Sequence, residues 1–372
     1  MNGLHGIIFS LEKFSGLREL ADNRMPASIP FAGRYRIIDF ILSSMVNAGI
    51  TDVGVVLQGN YQSLLDHLGS GKDWDLSRKH GGLRLLPPFS RNRSTTDGQL
   101  RGRIEALAGV RTYLESIRQS HVVMADSDLV INIPLGDVYE SHLRSGADIT
   151  AVCTSNVGGC SEDATFFKLG ENGRVVQTLA ALRNPTGHHR SLEIYILSKQ
   201  LLIDLVDECI SQDLFDFRSA ILQAKVDKLN IGSYVWDGYA AQIRSLKEYY
   251  DRSMELMNYS IRREVFHPQR PIHTKERNDA STYIDPDGSC CGCIVADGCT
   301  IEGSVENSIL FRGVSIARGA QVKNCILMQD VTVSRDAVLH HVVADKNVAI
   351  MESRTLIGNE SYPLAIAKGS KV

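Results

Sequence analysis

Short apolar runs alternate with amphipathic segments through the first ~260 residues of the chain. The apolar runs at 52–57, 121–125 and 148–153 predict buried strands, and the helical spacing of apolar residues at 37–47 and 104–117 predicts helices. Strands that alternate with helices in this way are typical of βαβ units, which assemble into a mostly parallel sheet. The first part of the chain is therefore predicted to be an α/β domain.

A different pattern begins near residue 283. Helical periodicity ends, and short apolar pairs recur between glycine and other small residues, as in Ile294-Val295, Ile309-Leu310 and Ile326-Leu327. Each pair supplies inward aliphatic side chains before a turn, which is typical of a parallel β-helix built from hexapeptide repeats. The repeat is degenerate, so an antiparallel β-sandwich is the alternative for these residues taken by themselves.

A stretch rich in proline, histidine and polar residues separates the two patterns, and we interpret it as a linker. The predicted divisions are a first domain at 1–262, a linker at 263–284 and a β-helix at 285–372. Aliphatic residues around 348–350 would be exposed at the open end of a monomeric β-helix. We therefore expect the chain to form homo-oligomers when it is alone.

Composition narrows the functional classes. The 372 residues carry a formal net charge of −3, so nothing indicates a nucleic-acid partner or an electrostatic membrane anchor. The sequence starts without a basic, cleavable leader, and no apolar run approaches the ~20 residues of a membrane span, which predicts a cytoplasmic protein. The eight cysteines are expected to be free thiols, because the C-C-x-C spacing at 290–293 fits packing better than a zinc site.

One long motif, PFAGRYRIIDF at 30–40, is highly specific. Together with WDLSRKHGG at 74–82 and GSVENSILF at 303–311, it resembles the glucose-1-phosphate adenylyltransferases (ADP-glucose pyrophosphorylases) over nearly the whole chain. The resemblance implies an α/β, Rossmann-like nucleotidyltransferase domain of the GT-A-like type, followed by a C-terminal left-handed parallel β-helix. It also implies a relation to the reaction of ATP with glucose 1-phosphate, which gives ADP-glucose and pyrophosphate for glycogen synthesis.

The residues that carry catalysis in that family are largely replaced in this chain. The family's nucleotide loop, G-G-x-G-x-R, holds phosphates with main-chain N–H groups and positive charge, and glycine permits the close approach. The lysine of the family's A-K-P motif falls at Pro26, and its G-T-A motif becomes Gly102-Arg103-Ile104. We interpret Arg101 and Arg103 as part of an exposed basic loop, and a loop that binds an anion is the alternative. The degenerate positions in the nucleotide loop are Leu11, Glu12, Phe14 and Gly16.

The metal site that the resemblance implies is also altered. Active members hold Mg²⁺ between two aspartates; Asp126 matches the first, with Asp128 a near alternative, whereas Gln242 stands at the second. An amide weakens such a site, because Mg²⁺ prefers anionic oxygen ligands. We predict no catalytic residue and no bound metal. Asp126 is kept as a residual candidate ligand, and a turn-forming aspartate at a strand end is the alternative interpretation.

These departures predict a regulatory subunit. Some Gram-positive bacteria carry a catalytic subunit together with a second, poorly active or inactive homologue that modulates it, and the chain resembles that second type. The expected partner is a catalytic glucose-1-phosphate adenylyltransferase, in a hetero-oligomer expected to be a tetramer. Mg²⁺ and ATP are then required only by the partner. The alternative is a weakly active sugar-phosphate nucleotidyltransferase with a remodelled nucleotide loop.

The resemblance also implies an effector site in the cleft between the two domains. Arg34 and Arg36 match basic positions of the family's G-G-K-[FY]-R segment, Lys346 matches the lysine of a D-K-N motif, and Lys368 matches a C-terminal effector lysine. Basic side chains grouped around one anion would bind phosphorylated metabolites. The alternative is that all four are solvated surface charges or members of intersubunit ion pairs.

Overall fold

The computed structural model describes residues 3–11, 15–87, 100–156, 164–180 and 185–372. The strands of the first part of the chain are β1 (Leu4–Ser10), β2 (Pro30–Phe31), β3 (Tyr35–Arg36), β4 (Asp52–Leu57), β5 (Gly82–Leu86), β6 (His121–Asp126), β7 (Leu129–Ile131), β8 (Ile149–Thr154), β9 (Thr165–Leu169), β10 (Val175–Ala180), β11 (His189–Ser198), β12 (Ile231–Val235) and β13 (Ala240–Gln242). The helices are α1 (Ile37–Asn47), α2 (Gln62–Leu68), α3 (Arg103–Gly109), α4 (Arg111–Ser116), α5 (Leu135–Ser145), α6 (Lys199–Ser211), α7 (Leu246–Glu255) and α8 (Tyr259–Val265). Short 3₁₀ segments and one π-helical segment, Arg218–Gln223, complete the first part.

A nine-stranded sheet forms the centre of the first domain. β1 pairs in parallel with β4 and β6, β5 extends the sheet beyond β4, and β11 runs antiparallel to β6 and β8. The predicted strands that correspond to β4, β6 and β8 are confirmed. At the carboxyl end of the sheet Asp126 lies opposite Phe9 of the neighbouring strand. Ligands of open α/β sheets bind at this edge, so the residues that follow β1 and β6 mark the site to inspect.

The helices agree with the sequence pattern in one case and depart from it in another. α1 has the predicted bounds, and it starts with a hydrogen bond from the main-chain N–H of Arg36 to Oδ2 of Asp39 (2.9 Å). The single helix expected at 104–117 is wrong, because the chain breaks at Val110 (φ −114°) and continues as α4. Gly109 closes the first of the two helices, and glycine favours such a break because it has poor helix propensity.

The second part of the chain is a left-handed parallel β-helix, as the resemblance implied. Its strands are β14 (Tyr283–Ile284), β15 (Ser289–Cys291), β16 (Ile294–Val295), β17 (Thr300–Ile301), β18 (Ser304–Glu306), β19 (Ile309–Leu310), β20 (Ser315–Ile316), β21 (Gln321–Lys323), β22 (Ile326–Leu327), β23 (Thr332–Val333), β24 (Val338–His340), β25 (Val342–Ala344), β26 (Ala349–Ile350), β27 (Thr355–Ile357) and β28 (Leu364–Ile366). Every third strand pairs in parallel, which gives three five-stranded faces. Ile294, Ile309, Ile326 and Val343 are in register on one face, so the recurring apolar pairs stack as continuous columns.

The C-terminal end of the β-helix differs from the expectation. Val348 and Ile350 are buried, because the last residues of the chain fold back over them, with Val372 N–H donating to the Ala349 carbonyl (3.0 Å). The large apolar side chains that are exposed near this end are Met351, Ile357 and Tyr362. The expected exposure of residues 348–350 was therefore wrong, and oligomerisation itself stays a prediction.

The two parts of the chain share a core. Phe31, Phe40 and Tyr249 from the first part belong to the same buried cluster as Phe311 and Met328 of the β-helix. α8 ends at Val265 and β14 begins at Tyr283, while the divisions placed at 262 and 285 stay a prediction. Within the described ranges, no helix combines the length and the apolar character needed to cross a membrane. The shared core fixes the position of the cleft between the two parts.

Candidate functional site

The former nucleotide loop lies between β1 and the 3₁₀ segment Ser15–Leu20. Leu11 packs against one of the apolar cores, while Glu12 and Phe14 lie outside the described residues. Gly16 approaches the chain after β13 so closely that a Cβ atom would lie 3.0 Å from the Arg244 carbonyl oxygen. Pro26 is buried in a 3₁₀ turn. Neither Gly16 nor Pro26 supplies the positive charge of the family position that it matches.

Arg103 occupies the centre of the former site. It is the first residue of α3, and its guanidinium Nη2 donates to Oδ2 of Asp126 and to Oε2 of Glu193 (2.8 Å for the latter). The three side chains are 15%, 10% and 8% exposed, respectively, so these ion pairs are largely removed from water. The interpretation of Arg103 as part of an exposed loop was wrong, because the start of α3 turns its side chain into the site. Arg101 instead stacks on the Phe215 ring, 3.3 Å from its centroid.

Two further arginines complete the network. Nε of Arg244 donates to Oδ2 of Asp128 (2.7 Å), and both side chains are buried. Arg190 Nη2 donates to Oε1 of Gln242 (2.7 Å), and this pair is buried too. β13 pairs antiparallel with β7, and this pairing holds Gln242 opposite Leu129 at the rim of the site. Each residue that aligns with a family metal position is thus engaged by an arginine of the chain itself.

The charges in this network balance. Three guanidiniums, from Arg103, Arg190 and Arg244, lie with three carboxylates, from Asp126, Asp128 and Glu193. Burial by itself would raise the pKa of Glu193, but the Arg103 and Arg244 guanidiniums outweigh burial and hold that pKa at about 2. Burial opposes the charge of Arg244, yet Asp128 and Glu193 raise its pKa well above the ordinary value. The site is an internal ion network with equal numbers of positive and negative groups, in which Oδ1 of Asp128 is buried without a hydrogen-bond partner among the described residues.

Mg²⁺ does not fit the residues at this place. A divalent cation needs free carboxylate oxygens, whereas Oδ2 of Asp126 accepts from Arg103 and the Gln242 amide oxygen accepts from Arg190. Arg103 also puts a positive charge where a bound cation would lie. Among the described residues no group of three or more histidine, cysteine, aspartate or glutamate side chains is arranged to hold a metal ion. We derive no step through Mg²⁺ in this chain.

Sequence reasoning missed part of this site. Glu193 and Arg244 received no role from the sequence, and neither did Arg190, which lies in β11. One signal for Glu193 was available, because it is a charged residue between Leu192 and Ile194 in an otherwise apolar run. A buried strand carries an isolated charge only when a partner neutralises it.

A second candidate site is the cleft between the first domain and the β-helix, which has a volume of about 280 Å³. Arg34, Arg36 and Lys346 line it, as the resemblance implied. Sequence reasoning missed Lys275, Arg277 and Arg312. The full lining is Pro30, Arg34, Tyr35, Arg36, Asp66, His67, Lys275, Arg277, Phe311, Arg312, Gln329 and Lys346. Six of these side chains are Arg or Lys and one is a carboxylate, so the lining is strongly positive.

The cations at this cleft differ in how firmly they are held. Arg36 Nη1 donates to the Ser63 carbonyl (2.5 Å) and hydroxyl (2.9 Å) oxygens, which fixes its guanidinium. Arg34 is 43% exposed and pairs with the equally exposed Asp297 (3.2 Å). Lys368 does not line the cleft; it lies in an exposed turn whose next residue, Gly369, donates to the Lys346 carbonyl (2.9 Å).

Like charges crowd one another in the cleft. Burial and the nearby positive charges of Arg36, Arg24 and Lys368 together lower the pKa of Lys346 to about 7. Burial is also the main cause that lowers the pKa of Arg36 to about 10. The folded protein disfavours the charged forms of Lys346 and Arg36, so an anion bound in the cleft would stabilise both charges. The chemistry of the cleft is that of an anion site.

A buried ion pair supports the floor of this cleft. Arg24 of the first domain pairs with Asp345 of the β-helix, and both side chains are buried. Asp345 also accepts a hydrogen bond from the main-chain N–H of Lys346 (2.7 Å), so the pair positions the lysine next to it. Nε of Arg24 donates to the Leu20 carbonyl (2.9 Å), which ties the segment after the former nucleotide loop to the same pair.

Fold and sites together define a nucleotidyltransferase-type α/β domain joined to a hexapeptide β-helix. Residues 13–177 match the family model for nucleotidyl transferases, and residues 280–362 match the GlmU-like C-terminal hexapeptide model. The glycogen biosynthesis protein GlgD of Bacillus subtilis (strain 168) is 37% identical over 369 residues, which cover 99% of this chain and 96% of the relative. GlgD of Geobacillus stearothermophilus is 34% identical over 86% of this chain and 83% of the relative.

An enzyme is among the relatives as well. The glucose-1-phosphate adenylyltransferase of Geobacillus stearothermophilus is 30% identical over 317 residues, which cover 83% of this chain and 80% of the enzyme. The chain therefore belongs to the family of the glucose-1-phosphate adenylyltransferases and the related GlgD proteins.

Proposed function

We propose that this chain is a regulatory subunit of a glucose-1-phosphate adenylyltransferase in bacterial glycogen biosynthesis and is itself catalytically silent. The observation that carries the proposal is the contrast between the two sites. In the former active site Arg103, Asp126 and Glu193 are bound to one another, whereas the inter-domain cleft offers six basic side chains and one carboxylate. Similarity to two GlgD proteins, over 99% and 86% of this chain, supports the same assignment.

The lack of catalytic activity follows from the number of catalytic groups that are missing. Removal of one preorganised charged or hydrogen-bonding group typically lowers a rate ~10²–10³-fold. This chain lacks the loop arginine at Gly16, the lysine at Pro26 and the second metal carboxylate at Gln242. The effects of such losses are not strictly additive, but several together leave turnover near background.

A silent subunit acts through its partner. An anion shifts the equilibrium between two conformations of an interface only by the difference between its binding free energies for the two. This difference is typically about 1–3 kcal/mol. The cleft joins the first domain to the β-helix through Arg24 and Asp345, so a phosphorylated metabolite bound there would change how the two parts pack. We propose that this change passes to a catalytic homologue in a hetero-oligomer.

The test is an assay of three preparations for ADP-glucose synthesis from ATP, Mg²⁺ and glucose 1-phosphate. They are the purified chain, the catalytic homologue from the same genome, and an equimolar mixture. We expect turnover near background for the chain alone, and an altered apparent affinity or effector response for the mixture. A turnover for the chain alone in the ordinary ~1–10³ s⁻¹ range would exclude the proposal. Kinetics of the mixture identical to those of the homologue alone, with no complex in sedimentation, would exclude it as well.

One observation favours the alternative, a weakly active sugar-phosphate nucleotidyltransferase. Arg103, Arg190 and Arg244 all reach the former site, so positive charge is present although the loop arginine is missing. These guanidiniums are held by acceptors of the chain itself, which argues against their use on a substrate phosphate. Product formation from any nucleoside triphosphate and sugar 1-phosphate, abolished by Asp126→Asn, would support the alternative.

A further inference from the structure

The start of α3 is fixed in a way that directs Arg103 into the former active site. Gly102 lies so close to the segment before the π-helical Arg218–Gln223 that a Cβ atom would be 2.3 Å from the Phe215 carbonyl oxygen. The same carbonyl accepts a hydrogen bond from the main-chain N–H of Ile104 (3.1 Å). Because the residues on both sides of Arg103 are held by this contact, its side chain has little choice of direction.

The Arg103 guanidinium bridges two carboxylates in the manner of a bound cation. It hydrogen-bonds Asp126, at the carboxyl end of β6, and Glu193 of β11. Asp126 is the residue that matches the family's first metal ligand, so the guanidinium lies at the position where a divalent cation would contact the protein. A divalent cation in a phosphate-transfer site joins a protein carboxylate to an anionic oxygen of the ligand. Arg103 makes the same connection, with the Glu193 carboxylate as the second anion.

Glu193 adopts a backbone conformation that marks it as unusual. Its φ is +56°, in the left-handed region that favours glycine, although it lies within strand β11. The register between β11 and β8 shifts between Ser191 and Ile194, so Glu193 is at a bulge that aims its side chain into the site. Strained residues of this kind persist where the surroundings fix them, and they cluster at functional sites.

We propose that the Arg103–Glu193 pair closes the former active site from within. Arg103 takes the place of the divalent cation, and the Glu193 carboxylate takes the place of an anionic group of a substrate. Without Arg103, the Asp126 and Glu193 carboxylates lose the cation that they share. Arg244 still neutralises part of the charge at Glu193 and Asp128, and the remaining negative charge must be met by a proton or by another cation. Removal of the guanidinium therefore creates a site for a divalent cation that takes oxygen ligands, of the Mg²⁺ and Mn²⁺ class.

The inference is tested on the isolated chain by titration with Mn²⁺, followed by electron paramagnetic resonance of the free ion and by the thermal unfolding midpoint. We expect Arg103→Ala to be less stable than the wild type, to bind Mn²⁺ at least tenfold more tightly, and to regain part of its midpoint on binding. The second substitution in Arg103→Ala/Asp126→Asn should abolish the added affinity. Arg101→Ala is the matched control, because it removes a guanidinium two residues away that stacks on Phe215 instead.

Two results would overturn the inference: equal Mn²⁺ affinity in the wild type and Arg103→Ala, or an added affinity in Arg103→Ala that persists in Arg103→Ala/Asp126→Asn. If Arg103→Ala does not fold, Arg103→Gln serves for the same titration, since it keeps a hydrogen-bond donor and removes the charge. The partner subunit has no part in this experiment. Its outcome and the outcome of the proposed regulatory role can therefore be told apart.

Discussion

The former active site and the inter-domain cleft are both rich in arginine, but they use it in opposite ways. In the former site Arg103 and Arg244 meet carboxylates of the chain, and the network is buried and balanced. In the cleft Arg36, Arg312 and Lys346 all have lowered pKa values, mainly because burial disfavours their charge. The same residue types thus close one site and leave the other ready for an anion.

The difference shows what each site can still do. A balanced ion network has no net attraction for a charged ligand, and a substrate would have to break ion pairs before it could bind. A cleft with an excess of one sign attracts the opposite sign, and low-dielectric walls strengthen that attraction. The comparison favours the proposal that this chain recognises an anion at the cleft and does not carry out chemistry at the former site.

The largest expected effect comes from breaking the ion pair that supports the cleft. Asp345→Ala leaves Arg24 buried beside Lys346 without its carboxylate, and the free energy of unfolding should fall by about 3–5 kcal/mol. Glu306→Ala is the matched control, because its pair with Lys323 is about half exposed and should contribute under ~1 kcal/mol. Urea unfolding measures both variants. Equal losses would mean that the Arg24–Asp345 pair is not a support of the cleft.

Much of the fold was predictable because it depends on local pattern. The strands that became β4 and β6, the helix α1 and the columns of the β-helix follow from apolar periodicity, which a single sequence displays directly. The break at Val110 and the burial of Val348 were not predicted, because they depend on a local backbone change and on residues that fold back from the end of the chain.

The two sites also differ in how far their residues could be predicted from the sequence. Arg34, Arg36 and Lys346 were found through a resemblance, and the structure brings all three to one cleft. The pairing of Arg103 with Glu193 joins residues 90 positions apart through the register of a bulged strand. A motif comparison can show that the G-T-A motif is lost, but it cannot show what the new arginine contacts.

The next largest effect is expected for effector response. In the mixed complex, Lys346→Ala should weaken the response to a panel of sugar mono- and bisphosphates. The coupling constant should fall by about 5–150-fold, which corresponds to about 1–3 kcal/mol. Assembly should stay intact, since Lys346 makes its main-chain contacts with or without its side chain. Activation assays and sedimentation of the same samples measure both properties. Unchanged activation in the Arg34→Ala/Lys346→Ala double variant would assign regulation to the partner.

A smaller effect should appear in the pH dependence of anion binding. The pKa of Lys346 is about 7 in the folded chain, below its ordinary value of about 10.4, and a bound anion favours the charged form. Sulfate affinity should therefore be constant below pH 7 and should fall by up to about tenfold per unit above it. Lys346→Arg should flatten this profile, because arginine stays charged. Calorimetry with sulfate is suitable, since its charge does not change in this range.

The lowered pKa of Lys346 also makes the free energy of unfolding depend on pH. Between pH 7 and about 10 the unfolded chain binds more protons at this lysine than the folded chain, so stability without an anion should rise with pH across that window. Below pH 7 the lysine is charged in both states and its full cost is present. Lys346→Met should remove this rise, measured by urea unfolding at pH 7 and 9. The lowered pKa of Lys346 would be contradicted if the free energy of unfolding of the wild type fell between pH 7 and 9 and Lys346→Met showed the same fall.

The smallest effect is expected at Arg34. Its side chain is 43% exposed and already pairs with Asp297, so an anion gains little from it that water and Asp297 do not provide. Arg34→Ala should lower sulfate affinity by up to about fivefold at low salt, the range of exposed ion pairs, and the difference should vanish near 0.5 M salt. Arg36→Ala removes a guanidinium fixed by Ser63 and should cost more at either salt concentration. If Arg34→Ala lowered sulfate affinity more than Arg36→Ala, the anion would lie at the outer rim of the cleft. The cleft would then differ from the closed former site only in its surface charge.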